Sequence, residues 1–433
     1  MESILVAIAA SLAQGIRVRL TRVNRYHSGM MQRTDILIVG GGLVGASLAL
    51  ALDASGRRAT LLEAAPARTT SAAGSDDNDR NLVLARASVN ALKALHVWPH
   101  LEAAAGAIRR VEVSRAGEFG KLRMTAEDAG VDALGRVVPG RVLGAALERQ
   151  LGTCQHIERL APAKLLALAP AESGWQARIA GDDGEQVIEA RLVVGADGSD
   201  SLVRAQVGIG AQEHDYRQGL FVCTVACERD MPDCAFERFS GEGPVALLPL
   251  PNQRRGLVLT VSADRHDEVA AMDDAAFIAL AQQRFGWKLG RLSRPGKRFA
   301  HRIHRVLADA AIAQRAVLVG NAAQTVHPIG AQGFNIGLRD ALTLAELIAD
   351  ADDPGASALL NEYVARRQPD REGVLAFSHG LVALACLPQP ALAPLRSLTM
   401  LALGGIAPLR HAVARRGMGF RGEPPRAALD AGP

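Results

Sequence analysis

The chain has 433 residues, 48% of them hydrophobic and 22% charged, with a formal net charge of +4. Those proportions belong to a soluble globular protein long enough for two or more lobes. An aromatic content of 4% leaves too few rings for a nucleic-acid stacking platform, and the mild basicity permits attraction to anionic lipid or ligand without demanding it.

Residues Ile4 to Leu12 form an apolar run far short of a membrane span. Arg17, Arg19, Arg22 and Arg25 follow it, the reverse of a secretory signal. An Arg-rich, acid-poor leader of this kind can mimic a mitochondrial presequence. The plainer reading places the start of the domain near Met30 or Met31 and leaves residues 1–32 as a disordered N-terminal extension.

The run Asp35 to Val39 predicts a buried strand. Gly40-Gly41-Gly42-Leu43-Val44-Gly45 follows, then a helix through Ala46 to Leu52 and a second strand, Arg58 to Leu62, ending on Glu63. This is GxGxxG in its required setting of strand, turn, helix, strand and acid. Gly40 makes the turn, Gly42 lets the backbone approach a pyrophosphate, and Gly45 lets helix and strand pack closely. Glu63 stands where a carboxylate accepts ribose hydroxyls. The motif alone does not separate NAD from FAD.

Strand-like stretches come next at Arg110 to Val113, Phe221 to Cys227, Ala235 to Phe239, Val245 to Leu250 and Gly256 to Val261. The last two flank Pro251 to Arg255 and read as a hairpin. Between the first and second of these, Leu192-Val193-Val194 predicts another buried strand, running into Gly195-Ala196-Asp197-Gly198-Ser199, with Arg204 shortly beyond. The five cysteines, Cys154, Cys223, Cys227, Cys234 and Cys386, contain no CxxC and no paired zinc spacing, so no metal and no disulfide framework is expected. His301 and His304, among arginines, read as one face of a strand or loop rather than as ligands.

Ala316 to Val319 predicts a third strand running into Gly320-Asn321, then His327-Pro328-Ile329-Gly330 and Gly333-Phe334-Asn335, where a helix through Ile348 opens. So many glycines ask for close backbone approach to a ligand, and a helix N-terminus offers N–H groups to an anion. Three loops at strand ends can converge at one edge of a parallel sheet, and one dinucleotide running across them accounts for all three. No second GxGxxG is present, so a separate nicotinamide domain is not encoded. From Ala351 the chain is expected to be mostly helical. Leu381 to Leu409 is apolar but broken by Pro388, Pro390, Pro394 and Pro408, so it is not one spanning helix.

The three loops, in this order and spacing, resemble the fingerprints of the FAD-dependent aromatic hydroxylases. Within that family the wording Gly320-Asn321-Ala322-Ala323-Gln324 through Asp340 is similar to the ubiquinone-biosynthesis hydroxylases, and most to their 2-polyprenyl-6-methoxyphenol hydroxylase branch. That branch carries Asn and Gln where most of the family has Asp and His. Asp79-Arg80 and the run Ala126 to Val138 are similar as well. The resemblance covers roughly residues 33–425. Gly330-Ala331-Gln332-Gly333 reverses the more usual Ala-Gly order, and Ser378-His379 stands where a Thr-Asp pair is common.

The resemblance implies an α/β fold: a Rossmann-like FAD-binding domain (33–105, 135–205 and 305–350) interleaved with an antiparallel-sheet substrate domain (106–134 and 206–304), plus a C-terminal helical region (351–433). It implies noncovalent FAD, with NAD(P)H as electron donor, and hydroxylation of a polyprenyl phenol by O2 through a flavin C4a-hydroperoxide. Glu63 would bind the adenosine ribose. Arg80 and Arg141 would lie near the cofactor, and Asp197 and Gly198 would line the pyrophosphate groove. Asn321 would contact the ribityl or pyrophosphate region. Pro328, Gly330, Gly333, Phe334 and Asn335 would border the isoalloxazine, with the backbone of Pro328, Gly330 and Gly333 as the catalytic loop. No side-chain base is assigned; His327 is the nearest by sequence, and structuring the loop beside Pro328 is its expected role. A hydroxylase of another aromatic compound, or a catalytically silent scaffold subunit of a quinone-biosynthesis assembly, stays open. The implied setting is cytoplasmic, peripheral on the inner membrane of a bacterium, with other quinone-biosynthesis enzymes as assembly partners and no nucleic acid. Leu395 to Leu403, followed by Arg410, Arg415, Arg416 and Arg421, would supply the membrane contact, unless these helices simply pack on the flavin domain.

Overall fold

The computed structural model describes residues 32–66, 81–182, 184–386 and 393–429. The extension before Gln32, the pair Asp79-Arg80, and Pro388 and Pro390 lie outside the described residues. In chain order, β1 (Gln32–Val39) leads through the glycine turn into α1 (Leu43–Ala54) and β2 (Ala59–Leu62). Next come β3 (Asn81–Ala85), α2 (Arg86–Ala94), β4 (Gly106–Ile108), β5 (Arg110–Arg115), β6 (Lys121–Thr125) and β7 (Gly135–Pro139). They are followed by α3 (Gly140–Leu151), β8 (Ile157–Leu160), β9 (Ala163–Pro170), β10 (Trp175–Gly181), β11 (Gly184–Gly195) and α4 (Leu202–Gln206). The middle of the chain forms β12 (Ala211–Cys227), β13 (Cys234–Ser240), β14 (Gly243–Pro249), β15 (Arg254–Ser262), α5 (His266–Ala271), α6 (Asp274–Phe285), β16 (Leu292–Ser293) and β17 (Phe299–Ala308). The rest comprises β18 (Ile312–Ala313), β19 (Ala316–Leu318), β20 (Gln324–Thr325), α7 (Gly333–Ala349), α8 (Ser357–Cys386), α9 (Ala393–Gly405) and α10 (Ala407–Gly417).

The first sheet runs β18–β19–β11–β1–β2–β8. Its pairs β1/β2, β2/β8 and β11/β19 are parallel. Parallel strands are covered on both faces, which is why they read as unbroken apolar runs. Ile36, Ile38 and Val194 face α1 and α7 and join Leu48, Leu52, Leu338 and Leu344 in one core. Leu37, Val39 and Val193 face the other way and pack with Leu165 and Ile179 of the β9–β10 hairpin.

The second sheet runs β20–β17–β12–β15–β14–β13–β5–β6. Alternation sorts its residues: Phe236, Val245, Leu247, Leu257 and Leu259 turn outward onto Phe277 and Phe285 of α6. The opposite face looks toward the first sheet's glycine loops. The expected hairpin is β14–β15, with Leu248 opposite Gly256, and its turn holds Asn252 and Gln253 at positive φ. A third, small sheet, β3–β7–β4, lies between 81 and 139.

Several expectations change. Strand β12 begins ten residues before Phe221, because its first half is a polar, exposed arm paired with β17. His301 and His304 do lie on a strand, β17, but three residues apart on a strand they take opposite faces. The expected boundaries at 205/206 and 304/305 fall inside α4 and β17, and β20 of the third flavin segment pairs with β17 in the second sheet. The described residues from Arg33 onward accordingly group as one compact unit. The C-terminal helices do not pack on the flavin domain alone: α9 lies on β6, with Met400 among Val113, Leu122, Phe239 and Ile329. Pro394 and Pro408 fall in the first turns of α9 and α10, where proline is tolerated. Among the described residues, no helix is long and apolar enough to cross a membrane.

Candidate active site

The three loops meet at the carboxyl edge of the first sheet. Gly40 N–H donates to the Leu62 carbonyl at 2.9 Å, and Ala196 N–H donates to the Val39 carbonyl at 2.8 Å. Gly40 holds φ +103, and a Cβ there would sit 2.5 Å from the Ala196 carbonyl oxygen. A Cβ on Gly45 would collide with the carbonyl oxygen of Gly40. Gly42 differs, since a Cβ there would meet nothing within 4 Å. The Glu63 carboxylate leaves the end of β2 and accepts from the N–H groups of Gly41 and Ala65, both at 2.8 Å. Its remaining lone pairs suit ribose hydroxyls.

Asp197 lies half-buried in the second loop. Its carboxylate accepts from Ser201 Oγ at 2.5 Å and Val203 N–H at 3.0 Å, so it organises the start of α4. The loop's open face is Gly198, beside which a Cβ would meet nothing within 4 Å. Arg204 ties the second loop to the third, donating to the carbonyls of Ser199 and Ala322. In the third loop Gly320 packs on Val44 and lies under Gly337 of α7. Asn321 is exposed at the crest, and Gln324 turns inward to donate to Asp340 at 3.0 Å. Arg141 is exposed in the first turn of α3. Arg80 lies outside the described residues.

Beyond Gln324 the third loop folds over an apolar cavity of about 300 Å³. Pro328 and Gly330 line it, with Gly330 at φ +70. Gly333 opens α7 and faces open space, and Phe334 is half-buried against the core. Asn335 also lines the cavity. Its side chain is buried, accepts from Ala85 N–H at 2.8 Å and Ser88 Oγ at 2.7 Å, and donates to the Val83 carbonyl at 2.8 Å. That amide pins β3 and α2 to the start of α7 and so holds the loop at the cavity wall.

His327 is 1% exposed. Its Nδ1 accepts from Ile329 N–H at 3.1 Å, which leaves Nε2–H to donate to Gln218 Oε1 at 3.0 Å. Burial pushes its pKa down to about 4, so the ring is neutral at ordinary pH. With both nitrogens engaged, it structures the loop.

The sequence reading missed Glu237. It sits on the cavity-facing side of β13 between Ala235 and Phe239, opposite Val113 and Ala246. Its only signal is a carboxylate at an apolar position of an alternating strand.

These features fit a dinucleotide such as FAD. The starts of α1 and α7 carry no side-chain cap and no acid in the first turn, so their first-turn N–H groups stay open to an anion. Gly42, Gly198 and Gly333 leave room at the places where a Cβ would fill the groove. Among the described residues no cluster is suited to hold a metal ion.

The family described as FAD binding domain matches residues 33–378. A ubiquinone hydroxylase, UbiL, of Rhodospirillum rubrum is 37% identical over 399 residues, covering 90% of this chain and 92% of that protein. The 3-demethoxyubiquinol 3-hydroxylase of Escherichia coli is 33% identical over 345 residues, covering 78% and 86%. Among solved structures, p-nitrophenol 4-monooxygenase PnpA of Pseudomonas putida superposes with a TM-score of 0.76 at 17% identity, over 91% of this chain and 100% of that one, which speaks for the fold.

Proposed function

Because the chain belongs to the FAD-dependent hydroxylases of ubiquinone biosynthesis, we propose that it inserts one oxygen atom into the ring of a polyprenyl phenol. The observation that carries this is the third loop, which borders the glycine-lined groove on one side and roofs the apolar cavity on the other. Bound FAD supplies the oxygen-transfer chemistry, with NAD(P)H as the proposed donor. The chain's own work is to hold and exclude. Glu63 and the loops of Gly42 and Gly198 would hold the dinucleotide. The start of α7 would offer N–H groups to the ring system, and the apolar walls would keep water from the reacting carbon.

The proposed substrate is 2-polyprenyl-6-methoxyphenol, on the wording of the third loop. A different ring position is the second reading, favoured by the 33% identity to the 3-demethoxyubiquinol 3-hydroxylase. Protein reconstituted with FAD, a reductant, isotopically labelled oxygen and a short-chain 2-methoxyphenol is expected to yield product carrying one labelled oxygen. Reductant consumption without labelled product would count against a hydroxylase of this ring. The ring intermediate that accumulates in a deletion strain then separates the two steps.

We also propose peripheral membrane contact through the outer faces of α9 and α10, because their inner faces wall the cavity. Leu403, Val413 and Met418 line it, while Leu395 (63%), Leu398 (58%) and Ile406 (49%) are exposed on the other side. Arg410 and Arg421 do not serve as headgroup contacts: Arg410 pairs with Asp128, and Arg421 is buried and bonds to the Arg416 carbonyl. Arg415 and Arg416 are exposed. Apolar burial beside cations is the usual interfacial arrangement. Leu395→Asp with Leu398→Asp is expected to abolish sedimentation with anionic vesicles, and Arg415→Glu with Arg416→Glu to weaken it. FAD content should stay unchanged in both. If all variants sediment like the wild type, this surface is not the contact.

A further inference from the structure

We propose that Glu237 receives the ring hydroxyl of the substrate and acts as the general base that converts the phenol to phenolate during hydroxylation. The inference rests on the aromatic-hydroxylase reading above and adds the residue that activates the ring.

Glu237 lies in the row Val113–Glu237–Ala246–Val258 across four strands of the second sheet, and it is the one polar member of that row. All four line the cavity. The residue lies deep inside the protein, and its partial exposure is exposure to the cavity. Among the described residues its carboxylate accepts no hydrogen bond and forms no ion pair. A buried carboxylate without a partner is costly, so such a group calls for a ligand that donates to it.

The surroundings narrow the choice of donor. Among the described residues, His327 is the other titratable side chain on the cavity wall, and its two nitrogens are spent on Gln218 and Ile329. Strands β5 and β6 and helices α9 and α10 present apolar groups there; β15 adds Thr260, and the third loop adds the amides of Gln332 and Asn335. Among the described residues, no lysine or arginine lines the cavity. A cationic ligand head would have to enter past these apolar walls, whereas a neutral phenol enters without a charge and donates one O–H.

Burial raises the Glu237 pKa to about 7, with no neighbouring cation to lower it, which is the range suited to a general base. A free phenol titrates near ~10, so it enters protonated. The phenol O–H bond breaks, its proton goes to a Glu237 oxygen, and the electron pair stays on the ring oxygen, enriching the ortho and para carbons. Oxygen transfer to one of those carbons leaves a ring ketone. That carbon loses its hydrogen as a proton to water, the ring oxygen takes a proton back from Glu237, and the second atom of O2, reduced by the donor's two electrons, leaves as water. The residue ends the cycle ionised, and the net change is one oxygen inserted into C–H.

The test uses the FAD-loaded full chain with a short-prenyl 2-methoxyphenol and its methyl ether. Wild-type kcat should rise with pH through about 7, as Glu237 ionises. Glu237→Gln is nearly isosteric and keeps a hydrogen-bond acceptor. It should lower kcat by at least ~100-fold and remove that rising limb, with a much smaller change in phenol affinity. Glu237→Leu should weaken phenol binding but bind the ether as well as the wild type or better, and Glu237→Asp should restore part of the kcat. A Glu237→Gln enzyme that keeps kcat and the rising limb overturns the assignment, as does equal loss of phenol and ether binding in Glu237→Leu. A wild type that neither binds the phenol nor hydroxylates it overturns the underlying reading instead, and is told apart by its occurring before any substitution is made.

Discussion

Gly45→Ala is expected to lose FAD and to destabilise the apoprotein, whereas Gly42→Ala should lose FAD alone. The two glycines lie three residues apart in one motif, yet their surroundings are opposite. A methyl at Gly45 lands on the Gly40 carbonyl oxygen, closer than real Cβ contacts come, with the Ala196 side chain also near at 3.2 Å. Gly40 cannot retreat, because its N–H is held by the Leu62 carbonyl and its Cα lies against the second loop. Helix α1 must therefore move off β1, and overpacking of this kind costs about 1–3 kcal/mol or more. The same movement displaces the loop that would meet the pyrophosphate, so FAD affinity should fall by at least ~100-fold, or about 2.7 kcal/mol. At Gly42 the added methyl meets no protein atom and fills only the groove. Thermal melts of the two apoproteins and titration with FAD check both halves. Wild-type FAD affinity in Gly42→Ala would place the pyrophosphate elsewhere.

The contrast also explains what was legible in the sequence. GxGxxG could be read because each glycine answers to a separate local constraint, and those constraints lie within one strand–turn–helix. The parallel strands could be read because Ile36 to Val39 and Leu192 to Val194 are covered on both faces. Asp197 and Asn335 were legible only in part, because the residue types that line an anion groove also cap helices and pin loops. Only the tertiary positions of Ser201, Val203, Ala85 and Ser88 show which task each side chain has. Arg410 and Arg421 misled for a similar reason: linear charge does not reveal which cations are spent internally. Glu237 went unread because alternation gives two faces without saying which one borders a cavity. Phe236 and Arg238 look no less inward than their neighbours until the sheet and α6 are assembled.

Asp370→Asn is expected to destabilise the protein by about 3–5 kcal/mol, the range for removing one partner from a buried ion pair. Asp370 on α8 accepts from Arg339 of α7 through both oxygens, at 2.7 and 3.2 Å, and from Arg367 at 2.7 Å. Arg367 also donates to Asp340 at 2.8 Å, and Asp340 accepts from Gln324 of the third loop. Arg339 and Arg367 are 1% exposed or less, so water cannot replace the lost charge. Burial alone would raise the Asp370 pKa, but the two guanidinium groups outweigh it and hold the carboxyl below its ordinary value. Its stabilisation is therefore fully present above the ordinary carboxylate range and is lost as pH falls through the lowered value. The stability gap between wild type and Asp370→Asn should be constant toward neutrality and close in acid, which urea unfolding across pH measures. A variant within about 1 kcal/mol of wild type at neutral pH would mean that the arginines find other partners. The chain from Asp370 through Arg367 and Asp340 to Gln324 also reaches the loop that roofs the cavity. Loosening the network should therefore weaken FAD retention even in the fraction that stays folded, which separates a support for the loop from a general prop of the helices.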